Sequence, residues 1–288
     1  MKNKILTFFP IFLLCFSFFS LNAQDSLQQK IDLKEITLDA IRIKTPKRTI
    51  PFAISHRTFE ASQLDLPQNS LQDYLTRVPG LYAQNTQNFA QDLRVSIRGF
   101  GARSGFGIRG IQLIVDGIPE TTPDGQGQLD NLPLGLIQSL TVLRGPASTF
   151  YGNASGGVIQ INTLEDFKEN FVRLRLQSGS YSSKNLAATL GWKKNKTKAV
   201  LYQNLSESHA YREHSQFKQR VFNARIWHEL SSSSQIRWQF NYTHSPFAYD
   251  AGAINMESVE EDREQARPQN KTFQTFETVD HLKTGLQW

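Results

Sequence analysis

Cysteine is almost missing from this chain of 288 residues: the single one, Cys15, lies in an apolar leader. Leu14 before it is too bulky for a typical lipoprotein cleavage site, which argues against lipidation. Without the leader, no disulfide and no thiolate metal site can form. Long apolar runs are also lacking. Beyond residue 19 no continuous stretch is long enough for a spanning helix. Charge of one sign does not dominate either. The formal net charge is +6, and +4 once Lys2 and Lys4 leave with the leader. That excess is too small for a nucleic-acid footprint, least of all in an exported protein. No nucleophile–base constellation stands out, so the sequence argues against an enzyme and gives no catalytic residue. What remains is a protein of the periplasm, a secreted protein, or a β-barrel whose membrane signal is hidden in alternation.

The leader itself is an address. Lys2 and Lys4 precede the apolar run Ile5–Phe19, and Leu21-Asn22-Ala23 ends in a small residue before Gln24. Residues 1–23 are therefore expected to be a secretory signal peptide. Residues 24–48 are expected to form a periplasmic segment. Within it, Glu35–Ile43 alternates with strand character, and Lys44–Pro51 carries two prolines among basic residues, as a linker does.

Residues 49–166 read as a small α+β domain. Leu71, Tyr74, Leu75 and Val78 sit at helical spacing over Ser70–Arg77, and Pro79-Gly80 stops the helix. Short strands are predicted at 93–97, 111–115, 137–143 and 158–162. Glycine turns separate them, and an arginine precedes glycine at Arg98-Gly99, Arg109-Gly110 and Arg144-Gly145. Gly99, Gly110, Gly117 and Gly145 are expected to supply positive φ. The charged side chains of such a tight sheet must meet partners outside it.

From residue 167 onward the texture changes to longer alternating strands. Ile236, Trp238, Phe240 and Tyr242 share one face, with Arg237, Gln239 and Asn241 on the other. Leu186, Ala188, Leu190 and Trp192 repeat the pattern, as do Val172, Leu174 and Leu176. A soluble sandwich also alternates. Short turns at 193–197 and 231–234 alternate with polar loops at 206–216 and 245–271, which favours a barrel. About six strands of roughly ten residues fit in this region, fewer than the roughly eight of the smallest bacterial barrels. Residues 167–288 are therefore expected to be the first part of a larger barrel.

Together these residues resemble the TonB-dependent outer-membrane receptors. The resemblance rests on Glu35–Arg42, on Ser70-Leu71 through Pro79-Gly80, and on Ile97-Arg98-Gly99-Phe100. It continues through Val115-Asp116-Gly117, Leu143-Arg144-Gly145-Pro146, and Tyr151-Gly152 followed by Gly156-Gly157, in the family's order. It implies an α+β plug followed by antiparallel transmembrane β-barrel strands, the opening part of a barrel of about 22 strands with a plugged lumen. It also implies an outer-membrane location, with the plug and N-terminus on the periplasmic side. Ile36, Thr37, Leu38, Asp39 and Ala40 correspond to the coupling box, which an inner-membrane TonB-type energy-coupling protein engages by strand addition. Arg98, Arg109 and Arg144 are expected to meet carboxylates on the barrel wall. Phe100, Arg103, Phe106, Asp124 and Gln126, in loops 100–108 and 118–128, are the candidate substrate contacts. A guanidinium there suits an anionic ferric chelate. The implied function is energised uptake of a ferric siderophore. Cobalamin and glycans are alternatives, and so is a surface binding protein that does not transport. Residues 25–45 are too few for the additional N-terminal domain of many glycan importers or of signal-transducing receptors.

No cofactor or metal site is expected. Gly105–Gly110 matches G-x-G-x-x-G, but the residues that follow read as a strand and not a helix. His209 and His214 are poorly spaced for a helical metal pair, and His228-Glu229 lacks a second histidine. The acidic run Glu257–Glu264 is expected to be a solvated loop.

Overall fold

The computed structural model describes residues 37–38, 45–46, 52–59, 66, 68–76, 78–85, 87–105, 107–129 and 131–288. Leu38–Trp288 forms one compact unit, separate from Met1–Thr37. Strands β1 (Thr37–Leu38) and β2 (Thr45–Pro46) come first along the chain. The α+β domain then runs through β3 (Ala53–Thr58), α1 (Gln72–Leu75), β4 (Leu81–Gln84), β5 (Arg94–Ile97), β6 (Ile108–Arg109), β7 (Ile111–Val115), β8 (Ile118–Pro119) and β9 (Gln126–Gly127). It ends with β10 (Ile137–Arg144), α2 (Ser148–Tyr151) and β11 (Gly157–Thr163). Its main sheet has the order β3-β10-β11-β7-β8, with β11 and β7 parallel. All five residues of β7, Ile-Gln-Leu-Ile-Val, are buried, because both faces of this strand are covered. The four predicted strands are present. The helix is shorter than expected. It spans four residues and is held by burial of Leu71, Tyr74, Leu75 and Val78, with Tyr74 Oη donating to Leu134 O at 2.8 Å.

Two glycine positions are decided by backbone geometry. Asp116 (φ 51) and Gly117 (φ 84) link β7 to β8 through a turn with two positive φ values, the primed hairpin type that Asp-Gly favours. Gly157 adopts φ 141, and a Cβ there would stand 2.2 Å from Leu143 O.

Six long strands follow: β12 (Phe171–Gly179), β13 (Ser183–Lys194), β14 (Thr197–Ser208), β15 (Phe217–Glu229), β16 (Gln235–Tyr249) and β17 (Phe276–Gln287). They pair antiparallel in chain order. Connections 180–182, 209–216 and 250–275 share one end, and the short turns 195–196 and 230–234 share the other. The longest connection starts later than the sequence suggests, because β16 continues to Tyr249. It also folds locally, with α3 (Met256–Glu261) and α4 (Pro268–Thr272). Among the described residues no helix is long and apolar enough to cross a membrane.

The six-stranded sheet reverses the usual distribution of polarity. Val172, Leu174, Leu176, Trp192, Trp238 and Leu286 are exposed on one face. The other face buries Asn185, Asn204, Asn223, Gln239, Asn241 and Thr243. These polar groups need partners, since an unpaired buried one costs about 1–3 kcal/mol. Asn185 bonds Ser206 at 3.0 Å, Asn204 bonds Asn185 at 3.1 Å, and Asn223 bonds Asn241 at 3.1 Å. Asn241 donates in turn to Asn131 O of the α+β domain at 2.9 Å.

The deepest contact between the domain and the sheet is ionic. Arg225 of β15 has a side chain only 1% exposed, and its guanidinium lies 2.8 Å from the carboxylate of Asp116, itself 7% exposed. Asp116 also accepts from Thr163 N and Thr163 Oγ1, both at 2.7 Å. Arg225 donates to Leu164 O and covers the ring of Trp227 at 4.9 Å. Arg237 pairs with Glu165 at 2.9 Å, and Lys283 pairs with Glu120. In each pair the cation belongs to the six-stranded sheet and the carboxylate to the α+β domain.

Asp116→Ala leaves the Arg225 charge buried without its partner, so a loss of about 3–5 kcal/mol is expected. Urea unfolding followed by Trp227 fluorescence measures it; an unchanged midpoint would contradict the buried pair. Gly157→Ala is expected to cost about 3 kcal/mol, because both the φ value and the carbonyl clash oppose a Cβ. The same titration reads that loss.

Candidate functional site

Most of the sequence-predicted site residues lie on turns of the α+β domain. Phe100 is half exposed, forms a bridge to Ile97, and covers Gly156. Arg103 is exposed in the turn that follows, and Phe106 lies outside the described residues. Asp124 lies in the turn before β9, and Gln126 is the first residue of that strand. Asp124 accepts from Thr122 Oγ1 and from Gln126 N, and those bonds, followed by the Arg109 charge, hold its carboxyl below the usual carboxylate range. Turn 152–156 gathers these segments: Asn153 abuts Gly125, Ser155 Oγ donates to Gly110 O at 3.4 Å, and Gly156 meets Phe100. Of the coupling segment, Thr37 and Leu38 form β1, while Ile36, Asp39 and Ala40 lie outside the described residues.

The three arginines expected at the barrel wall find nearer partners among the described residues. Among the described residues none meets a carboxylate on the six strands. Arg109 donates to Gln126 Oε1 at 3.2 Å and lies 3.9 Å from Asp124, so it closes its own turn. Arg144 donates to Pro79 O at 2.7 Å and to Ala53 O at 3.4 Å, tying together three segments of one domain. Arg98 takes φ 50 in a tight turn with Gly99, and its backbone N–H donates to Gly80 O at 3.0 Å. The ion pairs that reach the six strands run the other way, from Arg225, Arg237 and Lys283 to Asp116, Glu165 and Glu120. An Arg-Gly turn keeps its guanidinium beside nearby carbonyls, whereas the long strands carry theirs into the interface.

A second cluster escaped sequence reasoning. The hairpin tip 85–92, between β4 and β5, reaches the long-loop end of the six-stranded sheet. Asn88 Nδ2 donates to Asp250 Oδ1 at 2.8 Å and Gln91 Nε2 to Asp250 Oδ2 at 3.1 Å. Phe89 stacks on Phe217 with ring centroids 3.7 Å apart. Beside them a cleft of about 270 Å³ is lined by Asn85, Gln87, Asn88, Tyr211, Arg212 and Ser215. The Arg212 guanidinium is committed to carbonyls of its own loops, with Nη1 to Gly252 O at 2.6 Å and Nη2 to Gln265 O at 2.8 Å. Lys271 bonds Glu213 at 2.8 Å and, by that bond and its charge, holds the Glu213 carboxyl low. The cleft therefore presents amides, a hydroxyl and the Tyr211 ring more than free charge. Its signal in the sequence was the run Asn85-Thr-Gln-Asn-Phe-Ala-Gln-Asp92, rich in amides around one aromatic, directly ahead of the glycine-turn region.

Residues 46–158 match the model of the TonB-dependent Receptor Plug Domain. Over 219 residues, 70% of this chain and 33% of the relative, the sequence is 25% identical to the vitamin B12 transporter BtuB of Vibrio vulnificus. The fold is similar to that of the ferric citrate transporter FecA in its unliganded form, with a TM-score of 0.62 at 20% identity over 75% of this chain and 34% of that one. It is also similar to the pyoverdine outer membrane receptor FpvA of Pseudomonas aeruginosa PAO1, with a TM-score of 0.61 at 16% identity over 76% and 33% of the two chains. The chain thus spans about a third of the length of these relatives. Its α+β domain is a TonB-dependent receptor plug domain, and the plug with the six strands that follow is similar in fold to the corresponding part of such receptors.

Proposed function

We propose that the receptor imports a scarce nutrient across the outer membrane as a bulky metal chelate, a ferric siderophore. The observation that carries the reading is the seating of the plug. It lies against the polar inner face of the wall, and its tip 85–92 bonds the long loops through Asp250. In outer-membrane barrels the long loops face outward, so this tip is the first part of the plug that an arriving ligand meets. Capture engages Asn88, Phe89 and Gln91 together with the loops, and Phe100, Arg103, Phe106, Asp124 and Gln126 contribute where the path continues along the plug.

Transport then requires the plug to move. A TonB-type partner engages the backbone of residues 36–40 by strand addition, which needs N–H and C=O groups rather than a particular side chain. Pulling from the inner membrane works against contacts that are strong but few. Ion pairs at the plug–wall boundary are suited to this, because desolvation offsets much of their attraction and rehydration in an opening channel offsets much of their loss. The siderophore receptors of similar fold support the choice of an iron chelate. A second reading, cobalamin, is favoured by the B12 transporter relative and by a tip whose amides suit an uncharged ligand.

Deleting residues 36–40 in the full-length receptor is expected to abolish uptake of the radiolabelled nutrient while surface binding persists; uptake that survives the deletion sinks the transport mechanism. Asp250→Ala is expected to free the tip from the loops and weaken nutrient binding about tenfold, in line with two charge-assisted hydrogen bonds of about 1.5–3 kcal/mol each, partly recovered by water. Equilibrium binding on cells measures the change, with barrel assembly checked by heat-modifiable migration. Growth of a deletion strain under iron limitation separates the two ligands. A defect there supports the siderophore, whereas a defect confined to cobalamin limitation selects the second reading.

A further inference from the structure

Two cavities lie between the plug and the six strands, and one buried contact stands between them. The first, about 50 Å³, sits under the tip and is lined by Asn69, Phe89, Gln91, Leu134, Phe217 and Gln219. The second, about 880 Å³, lies where the chain enters β12 and is lined by Gly135, Leu136, Gln138, Leu164, Phe171 and Arg173. Leu134 of the first cavity and Gly135 of the second are consecutive in the chain. On the strands the same step can be followed. Gln219 lies two positions along one face of β15 from Asn223, whose cross-strand partner is Tyr202. Tyr202 is opposite Thr189, and Thr189 is opposite Arg173 of the second cavity. Tyr202 therefore marks the level at which the line is closed.

The closure is tight. Tyr202 is 2% exposed and Gln68 is 3% exposed. A Cβ on Gly135 would stand 2.6 Å from Tyr202 Oη and 2.9 Å from Gln68 Oε1, so only glycine lets the three meet. The closure is also poorly satisfied. Among the described residues neither Nε2 nor Oε1 of Gln68 has a hydrogen-bond partner, and Asn69 Oδ1 beside it has none. Gln68 takes φ 55, a left-handed value that strains a residue other than glycine. Arg175 of β12 holds this segment through Leu66 O, yet its Nη1 also stays unbonded. Asp116 is different, accepting from Arg225 and twice from Thr163. A buried amide without partners gains hydrogen bonds on reaching water. Residues 66–69 therefore leave the strands more readily than the ion-paired contacts do.

We propose that Gln68 is a gate, and that the nutrient passes the plug on this side, between residues 66–69 and strands β12–β15. The inference rests on the transport reading above. Displacing that one segment joins the two cavities into a passage from the tip to the short-turn end. Asn69, Gln219 and Gln138 line it with amides that bond the oxygens of a chelate. The strain and the unbonded amide bias the gate toward opening, and the fit of Tyr202 against Gly135 keeps it shut at rest.

The test follows cysteine labelling in cells expressing the full-length receptor with its other cysteines replaced by serine. Q68C is compared with N131C, since Asn131 is also buried, at 8% exposed, but is bonded to β16 and β17. During nutrient uptake, labelling of Q68C by a water-soluble maleimide is expected to rise severalfold, and labelling of N131C to stay near its resting rate. Deleting residues 36–40 removes the rise. In planar bilayers Y202A is expected to conduct ions, whereas wild type, Y202F and V200A stay closed; Val200 is as buried as Tyr202 on the same strand. Heat-modifiable migration verifies barrel assembly, and N69C takes the place of a Q68C that does not assemble. An equal rise at both positions, or none at Q68C while uptake proceeds, overturns the gate. So does a closed Y202A, or a V200A that conducts equally. Wild-type receptor without uptake overturns the transport reading instead, and the conductance of Y202A still decides the gate.

Discussion

The contact on which this architecture depends is the buried pair between Arg225 and Asp116. A wall whose inner face carries asparagines, threonines and arginines cannot be covered by an ordinary apolar surface, because each buried polar group left unpaired would cost free energy. Asp116 solves that problem at the deepest point. It stands at the first position of a tight Asp-Gly turn, which projects it from the end of β7 toward β15, and Thr163 fixes it from the neighbouring strand. Arg237 and Lys283 repeat the arrangement with Glu165 and Glu120. The plug is therefore seated by directional polar contacts beside a small shared apolar cluster, in which Leu136 packs with Val200, Tyr202, Val221 and Trp227.

This choice bears on function. Apolar interfaces seal well but do not readily come apart and re-form in water. A polar boundary carrying a few ion pairs holds register and tolerates rehydration. The apolar residues fall into distinct groups. The plug keeps its own core of Leu113, Leu140, Val142 and Ile159, while the exposed Val172, Leu174 and Leu176 belong to the outer face of the six strands.

Some of this was legible in the sequence and some was not. The period-2 alternation of Ile236–Tyr242 and Val172–Leu176 announced strands with one apolar face, and six such strands are present. The Arg-Gly and Asp-Gly dipeptides announced tight turns, and the φ values of Arg98, Gly99, Asp116 and Gly117 agree. The partners of the arginines among the described residues were not legible. Arg109 and Arg144 are spent on carbonyls and acids within the plug, and the cations that do cross the boundary come from strands whose Arg225 and Arg237 read only as polar-face residues. The tip at Asn88–Gln91 went unnoticed because nothing in an amide-rich turn says that Asp250, far along the chain, will stand opposite.

By itself the sequence determined the local matters: where strands alternate, where glycine permits a turn, and which short motifs follow one another in the order of a known family. Each depends on neighbours within a few residues, so one dimension suffices. Only the tertiary structure decided which charges face each other, which loop caps the plug, and that Lys184, Lys218 and Arg220 share the outer face of the strands. Those are properties of register across strands and of the approach of two sheets. A shift of one residue in register would turn every such side chain to the opposite face while leaving the composition of the chain unchanged.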